Sequence, residues 1–379
     1  MSLFWNKYSR NLILQFVPFF PIRKNQVLCL CWGGSQYNCN PRAIVERMSE
    51  MGLLTDISRK FNVFFAFFQP QKYQDIMPEG VHAVMLGSYD YYRLLATSRF
   101  IISNTHFGGE SIWPFPKRKG QIYIQTMHGG HGIKKIEHDA ILPDWYVKTI
   151  IEDTSRIDLM LSDSVYETQL YRSAYKYSGE VLECGLPRND VFFQQRTRLS
   201  GEKRYLVYAP TFRNNGRRDV YGFDVDAVIA ALEKRFGGEW YIRVSSHPNM
   251  RGYYKSIYDF SHPRLIDIGG QDLQEYLPES DALITDYSSS EMDFSLTGRP
   301  VFQLCKDLHD YDRGFYIQPE ELPFPYAEKE EELVRNILTF DEEKYKRDLE
   351  KFNRDTIGLK ETGHASDFVV RWMLQHISD

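Results

Sequence analysis

The chain has 379 residues, of which 42% are hydrophobic and 26% charged, and a formal net charge of −5. That length accommodates two ordinary domains, and the balance is that of a globular chain with one or two real cores. A net negative chain excludes nucleic-acid binding as the role of the whole molecule.

The first 24 residues stand apart. They carry Lys7, Arg10, Arg23 and Lys24 and no acid, with Leu3, Phe4, Trp5, Leu12, Ile13, Leu14, Phe16, Val17, Phe19 and Phe20 between them. Pro18 and Pro21 interrupt the apolar part and no small-residue cleavage site follows, which argues against a signal peptide. Nowhere does an apolar run reach the ~18–20 residues of a membrane-crossing helix. A basic, aromatic segment of this kind either lies in a membrane interface or packs on its own domain.

Val27 to Trp32 then reads as a buried strand running into the turn Gly33-Gly34-Ser35. Ile44, Val45, Met48 and Met51 recur at helical spacing, and Asn40 before Pro41 fits an N-cap before a first-turn proline. Strands follow at Val63–Phe68, Ala83–Met85, Phe100–Ser103 and Gln121–Met127; the last ends in His128-Gly129-Gly130-His131-Gly132. After a polar linker at Gln194–Arg204 the alternation restarts. Strands at Tyr205–Ala209, Trp240–Val244, Ala282–Thr285 and Pro300–Leu304 are separated by helical stretches, and a closing helix covers Ala365–His376. Strands alternating with helices predict parallel sheets in two successive α/β halves, a double-Rossmann arrangement with ligands at the carboxyl ends of the strands. The five cysteines include no C-x-x-C pair, so neither a zinc site nor a disulfide framework is expected and a reducing cytoplasm is the simplest setting.

Several strand ends carry chemistry. His128 sits in a glycine-rich loop where an imidazole can act as base, or simply as a surface histidine. His128, His131, His138 and Asp139 match no zinc spacing, and no metal is expected. His247-Pro248 follows a strand and is either a positioned imidazole or a turn residue. Pro187-Arg188-Asn189-Asp190 and Thr211-Phe212-Arg213 are turns whose arginines suit phosphate. In Thr285-Asp286-Tyr287-Ser288-Ser289-Ser290-Glu291 a strand gives way to hydroxyls and a helix, with Ser288 and Glu291 in capping-box relation. Such a helix start is either an ordinary cap or a phosphate site. Walker A, G-x-S-x-G and G-x-G-x-x-G motifs are absent from the sequence.

Taken in order, these blocks resemble the CDP-glycerol glycerophosphotransferases, the teichoic-acid primases and polymerases that also have relatives in capsule synthesis. Trp32–Tyr37 with Asn40-Pro41-Arg42-Ala43-Ile44 is similar to the family's first motif, and Gln125-Thr126-Met127-His128-Gly129 with Lys134-Lys135-Ile136 to its "QxWHGTPLKKI". Gly185-Leu186-Pro187-Arg188-Asn189-Asp190, Tyr208-Ala209-Pro210-Thr211-Phe212-Arg213, His247-Pro248 and Asp281–Ser289 continue the series. Met127 stands where the family has Trp, Leu186 where it has Tyr, and Phe212 where it has Trp. The loop after His128 is one residue longer than usual, so His128 and His131 both stay in play, His128 first.

The resemblance implies an α/β, GT-B-like fold: two Rossmann-type domains facing across a cleft, with a membrane-proximal segment at 1–25. It implies an acceptor-side domain over 26–198 and a CDP-donor domain over 199–379, the final helix being free to pack back on the first. The implied catalytic residues are His128 and His247. The implied donor and phosphate ligands are Arg213, Thr285, Asp286, Ser288 and Ser289, with Arg188, Asn189, Lys134, His131 and Glu291 in support. The implied reaction moves a polyol phosphate, glycerol phosphate first, from a CDP-polyol to a hydroxyl of a lipid-linked acceptor and releases CMP. It needs no cofactor beyond the CDP-polyol substrate. Its implied setting is peripheral, on the cytoplasmic face of the bacterial inner membrane, and it is compatible with a homo-oligomer. A GT-B glycosyltransferase using a nucleotide sugar, or a non-catalytic scaffold of envelope assembly, are the alternatives from the sequence.

Overall fold

Runs of Val, Ile, Leu and Phe buried on both faces favour parallel sheets, and the chain builds two. The computed structural model describes residues 20–55, 60–108, 117–129, 132–140, 142–194, 203–211, 213, 218–245, 251–311 and 314–377. The first sheet holds β1 (Arg23–Leu30), β2 (Asn62–Phe67), β3 (Val81–Met85), β4 (Ser98–Ser103), β5 (Ile122–Gln125), β6 (Leu159–Ser162) and β7 (Glu180–Glu183). Their order is β3-β2-β1-β4-β5-β6-β7, every pairing parallel. The second holds β8 (Arg204–Tyr208), β9 (Trp240–Val244), β10 (Leu265–Asp267), β11 (Ala282–Thr285), β12 (Val301–Leu304) and β13 (Tyr326–Ala327). Its order is β10-β9-β8-β11-β12-β13, again parallel throughout. In each sheet the order reverses beside its first strand, between β1 and β4 and between β8 and β11. A crevice opens at such a switch point, outside the carboxyl ends.

The helices are α1 (Cys39–Glu50), α2 (Tyr89–Thr97), α3 (Asp144–Thr154), α4 (Val165–Ala174), α5 (Val225–Phe236), α6 (Arg251–Ile257), α7 (Ser290–Ser295), α8 (Glu330–Leu338), α9 (Glu342–Lys351) and α10 (Ala365–Gln375). The strand expected at Val27–Trp32 begins four residues earlier and ends at Leu30, and Trp32 opens a tight 3-10 turn instead.

Two compact units emerge, and their limits differ from the expected ones. The first contains the described residues as far as His128, then Glu137–Asp190 and everything from Lys360 on; the second contains Gly129–Ile136 and Val191–Leu359. The change of unit therefore falls between Asp190 and Val191, ahead of 198. The closing helix belongs to the first unit because Ala365, Val369, Val370 and Met373 are buried in the same core as Val27, Cys29, Ile44, Val45 and Met48. Asp190 caps that helix from a distance, accepting from Ala365 N (2.8 Å) and Ser366 N (2.9 Å). Gly129–Ile136 joins the second unit through an antiparallel bridge between Lys134 and Phe315 and a hydrogen bond from Tyr316 N to the Ile133 carbonyl (2.6 Å). All five cysteines are buried and none is in a disulfide. Among the described residues no helix is long and apolar enough to cross a membrane, and the basic segment expected to meet one lies, as far as residue 19, outside them.

Candidate functional site

In the first unit, three neighbouring strand ends converge on one imidazole. Nδ1 of His128, just past β5, is 2.8 Å from the carbonyl of Asn104, just past β4. A carbonyl oxygen only accepts, so Nδ1 carries the proton and Nε2 of the neutral ring holds the lone pair. The ring also lies against Trp32, just past β1, with centroids 4.6 Å apart. Asn104 is wholly buried, and its side-chain oxygen accepts from Trp32 N (2.8 Å). One asparagine thus spans both sides of the switch point and orients the histidine.

The backbone around this ring is strained. Trp32 (φ 46), Cys39 (φ 58) and Met127 (φ 52) all adopt left-handed conformations without being glycine, at ~1–3 kcal/mol each. The compensation is visible at Asn40, which is buried inside α1 rather than capping it. Its amide donates to the carbonyls of Thr126 (2.9 Å) and Met127 (3.0 Å), and its oxygen accepts from Arg188 N (3.0 Å). The cap expected from Asn40 is therefore corrected: its side chain is spent on the loop that carries His128. Arg188 Nη1 donates to the His128 carbonyl, and Asn189 Nδ2 to Glu361 Oε1 (2.8 Å). The Pro187–Asp190 motif braces the histidine loop and the return of the chain.

In the second unit the ends of β8, β11 and β12 meet at Arg213. Its Nε and Nη2 donate to Asp307 (2.7 and 2.8 Å), Nη2 also pairs with Asp286 (2.9 Å), and Nη1 donates to the Thr211 carbonyl (2.7 Å). Tyr287 and Tyr311 lie 4.8 and 5.2 Å from the guanidinium centre. Burial alone would lower the Arg213 pKa; the Asp307 hydrogen bond and the charges of Asp286 and Asp307 overcome that and hold it above its usual value. With 3% of its side chain exposed, this fork is spent on carboxylates, and the expected phosphate contact is corrected to a structural one. Thr285 is corrected likewise: its hydroxyl, fully buried, donates to the Ala209 carbonyl (2.7 Å). Asp286 accepts from Thr211 N (2.8 Å) and Tyr287 N (2.6 Å), and so orients the corner.

The corner beyond Asp286 also departs from expectation. α7 begins at Ser290, and its N-cap Ser289 makes no side-chain cap hydrogen bond. Ser288 and Ser289 are half-buried. Ser288 Oγ accepts from Ser290 Oγ (2.9 Å). Glu291 turns inward to Gln303 (2.8 Å), fully buried, so the capping box with Ser288 does not form. Burial raises the Glu291 pKa well above the carboxylate range; the Gln303 hydrogen bond and the charge of Lys134 oppose the rise. His131 and His247 lie outside the described residues. Among the described residues no group of three metal-ligating side chains gathers.

No motif marks Asn104 as the imidazole's partner or Asp307 as the arginine's. Asn104 does end a strand beside His106, and that position was the available signal.

Comparison with known proteins finds likeness along nearly the whole chain. The family model described as CDP-Glycerol:Poly(glycerophosphate) glycerophosphotransferase matches residues 12–375. The chain is 25% identical to the teichoic acid poly(glycerol phosphate) polymerase of Bacillus spizizenii across 96% of this chain and 95% of that protein. It is 26% identical to the teichoic acid ribitol-phosphate primase of the same species, covering 92% of each. Of the polymerases of Staphylococcus epidermidis and Bacillus subtilis it spans 50% and 48% of the length. Among solved structures, the wall teichoic acid polymerase TagF superposes with a TM-score of 0.82 at 25% identity, over 99% of this chain and 94% of that one. With two parallel sheets and this likeness, the fold is α/β and GT-B-like.

Proposed function

This chain belongs to the CDP-glycerol:poly(glycerophosphate) glycerophosphotransferase family, and from that premise we propose how it works as one. It is a transferase of cell-envelope polymer synthesis. It takes glycerol phosphate from CDP-glycerol and passes it to a hydroxyl of a lipid-linked acceptor. The oxygen of the acceptor hydroxyl attacks the phosphorus that bears the glycerol. The bond from that phosphorus to the bridging oxygen breaks, and CMP leaves with that oxygen.

The observation that carries this reading is the His128–Asn104 hydrogen bond. It presents Nε2 as a lone pair, and that atom takes the acceptor's proton as the new bond forms. The hydroxyls of Ser288 and Ser289, with His247, supply donors to the charge that grows on the departing phosphate. Lys134 adds positive charge in the same unit. Residues 1–24, basic and aromatic, bring the enzyme to the membrane surface on the cytoplasmic side.

A CMP-release assay with CDP-glycerol and CDP-ribitol, each with and without a lipid-linked or short polyol-phosphate acceptor, tests the reading. Acceptor-dependent CMP release is expected, and the preferred donor names the polyol. His128→Ala and His247→Ala are each expected to lower turnover at least ~100-fold in folded protein. Silence of the parent with both donors overturns the proposal.

A further inference from the structure

Resting on that reading, we propose that Asp153 is a positioning residue which sets the His128 imidazole from two sides. Asp153 lies on α3 and is wholly buried. A buried carboxylate is costly unless strongly bonded, and Oδ2 of this one accepts from three donors: His106 Nδ1 (2.9 Å), Phe107 N (3.0 Å) and Tyr123 Oη (3.1 Å). Arg156 Nη1 stands 3.9 Å from Oδ1.

The donors belong to the two segments whose relation fixes the catalytic ring. His106 and Phe107 follow Asn104, whose carbonyl receives the proton of His128 Nδ1. Holding 106–107 therefore holds the imidazole's acceptor, and the His106 ring is packed on Tyr175 at 5.3 Å. The second path runs through Tyr123. Its hydroxyl accepts from Gln125 Nε2 (3.1 Å), and Gln125 Oε1 accepts from Met127 N (3.1 Å). Met127 is the left-handed residue that directly precedes His128. One carboxylate thus clamps the loop that carries the imidazole and the loop that orients it. Burial, with the Asp153 charge next, pushes the Tyr123 phenol far up, so the hydroxyl remains a donor to Asp153 at any working pH. Neither Asp153 nor Tyr123 needs to touch substrate for this role.

Tyr123→Phe cuts the second path, and Asp153→Asn weakens both while keeping the shape. Two readouts are taken on each variant: kcat and KM for CDP-glycerol by CMP release, and the ring nitrogen-15 shifts of His128 in histidine-labelled protein, assigned by their loss in His128→Gln. Tyr123→Phe is expected to lower kcat ~10-fold and Asp153→Asn ~100-fold with KM for the donor near the parent's. In both, the His128 shifts move from those of the Nδ1-protonated tautomer toward averaged values. If Asp153→Asn does not fold, Tyr123→Phe decides alone. Parent-like kcat in folded Tyr123→Phe overturns the inference, and so does a loss of kcat with unmoved ring shifts. Should the parent release no CMP with any donor, the functional reading falls and the ring shifts decide by themselves: displaced in Tyr123→Phe they sustain the positioning role, unmoved they overturn it.

Discussion

The two units each contain a strand that runs into Asp, then Ser, then a helix with Glu three residues after a serine, and the two corners come out differently. In the first, β6 leads through Asp163 to Ser164. Ser164 Oγ accepts from Glu167 N (3.0 Å), and Glu167 Oε2 accepts from Asp163 N (2.7 Å). Ser164 thus caps the helix start, Glu167 reaches back to the residue before the cap, and Ser164 N itself donates to Ser162 Oγ (3.3 Å). In the second, β11 leads through Asp286 to a longer turn, and Ser289 takes the N-cap place. Glu291 then sits one position too early to reach back, and it turns to Gln303. The same spacing gives one helix start a side-chain cap from its serine and leaves the other without one.

Four variants break or sharpen that contrast, given from the largest expected effect down. Asp307→Ala strips the Arg213 fork of its bidentate partner. It is expected to cost ~3–5 kcal/mol in urea unfolding, the usual loss when a buried pair loses one member; a change under ~1 kcal/mol would mean the ion pair is dispensable. The double variant Ser288→Ala with Ser289→Ala is expected to lower CMP release ~10–100-fold with little change in unfolding midpoint. Parent-like turnover would make the uncapped corner a structural one only.

Ser164→Ala reverses the pattern: about 1 kcal/mol of stability lost, and CMP release unaffected. The smallest effect concerns Glu291. Below its ordinary pKa of 4.5 the group is neutral in both folded and unfolded chains and adds no pH dependence. Above it the unfolded chain releases the proton while the folded chain keeps it, so this group makes stability fall as pH rises, until the folded carboxyl ionises too. Glu291→Gln removes that slope, so its melting midpoint should exceed the parent's by ~2–4 °C near pH 8 and by less near pH 5. An equal difference at both values would show the buried carboxyl to be already ionised in the folded chain.

Much of this was visible in the residues. The alternation of apolar strands with helical spacing gave two parallel α/β halves, because burial on both faces writes a continuous pattern into each strand. His128 was visible because glycines follow it at a strand end. The partners that orient its ring were not. Asn104 lies 24 residues away and Asp153 lies 47 residues from His106. Glu291 shows the converse: its spacing from Ser288 advertised a cap, while its partner is Gln303 on the neighbouring strand.

The sequence by itself determined the secondary structure, the family and the acidic, globular character of the chain, since these follow from local periodicity and from motifs read along one line. Only tertiary structure decided that Arg213 serves a carboxylate 94 residues away, that Asn40 steadies a loop instead of capping its own helix, and that the last helix completes the first core. Those outcomes depend on which buried polar groups find partners once strands are laid side by side. A buried donor or acceptor left unpaired costs more than a local hydrogen bond returns, so the register of the sheets, settled by the whole chain, overrides the preference of any short stretch.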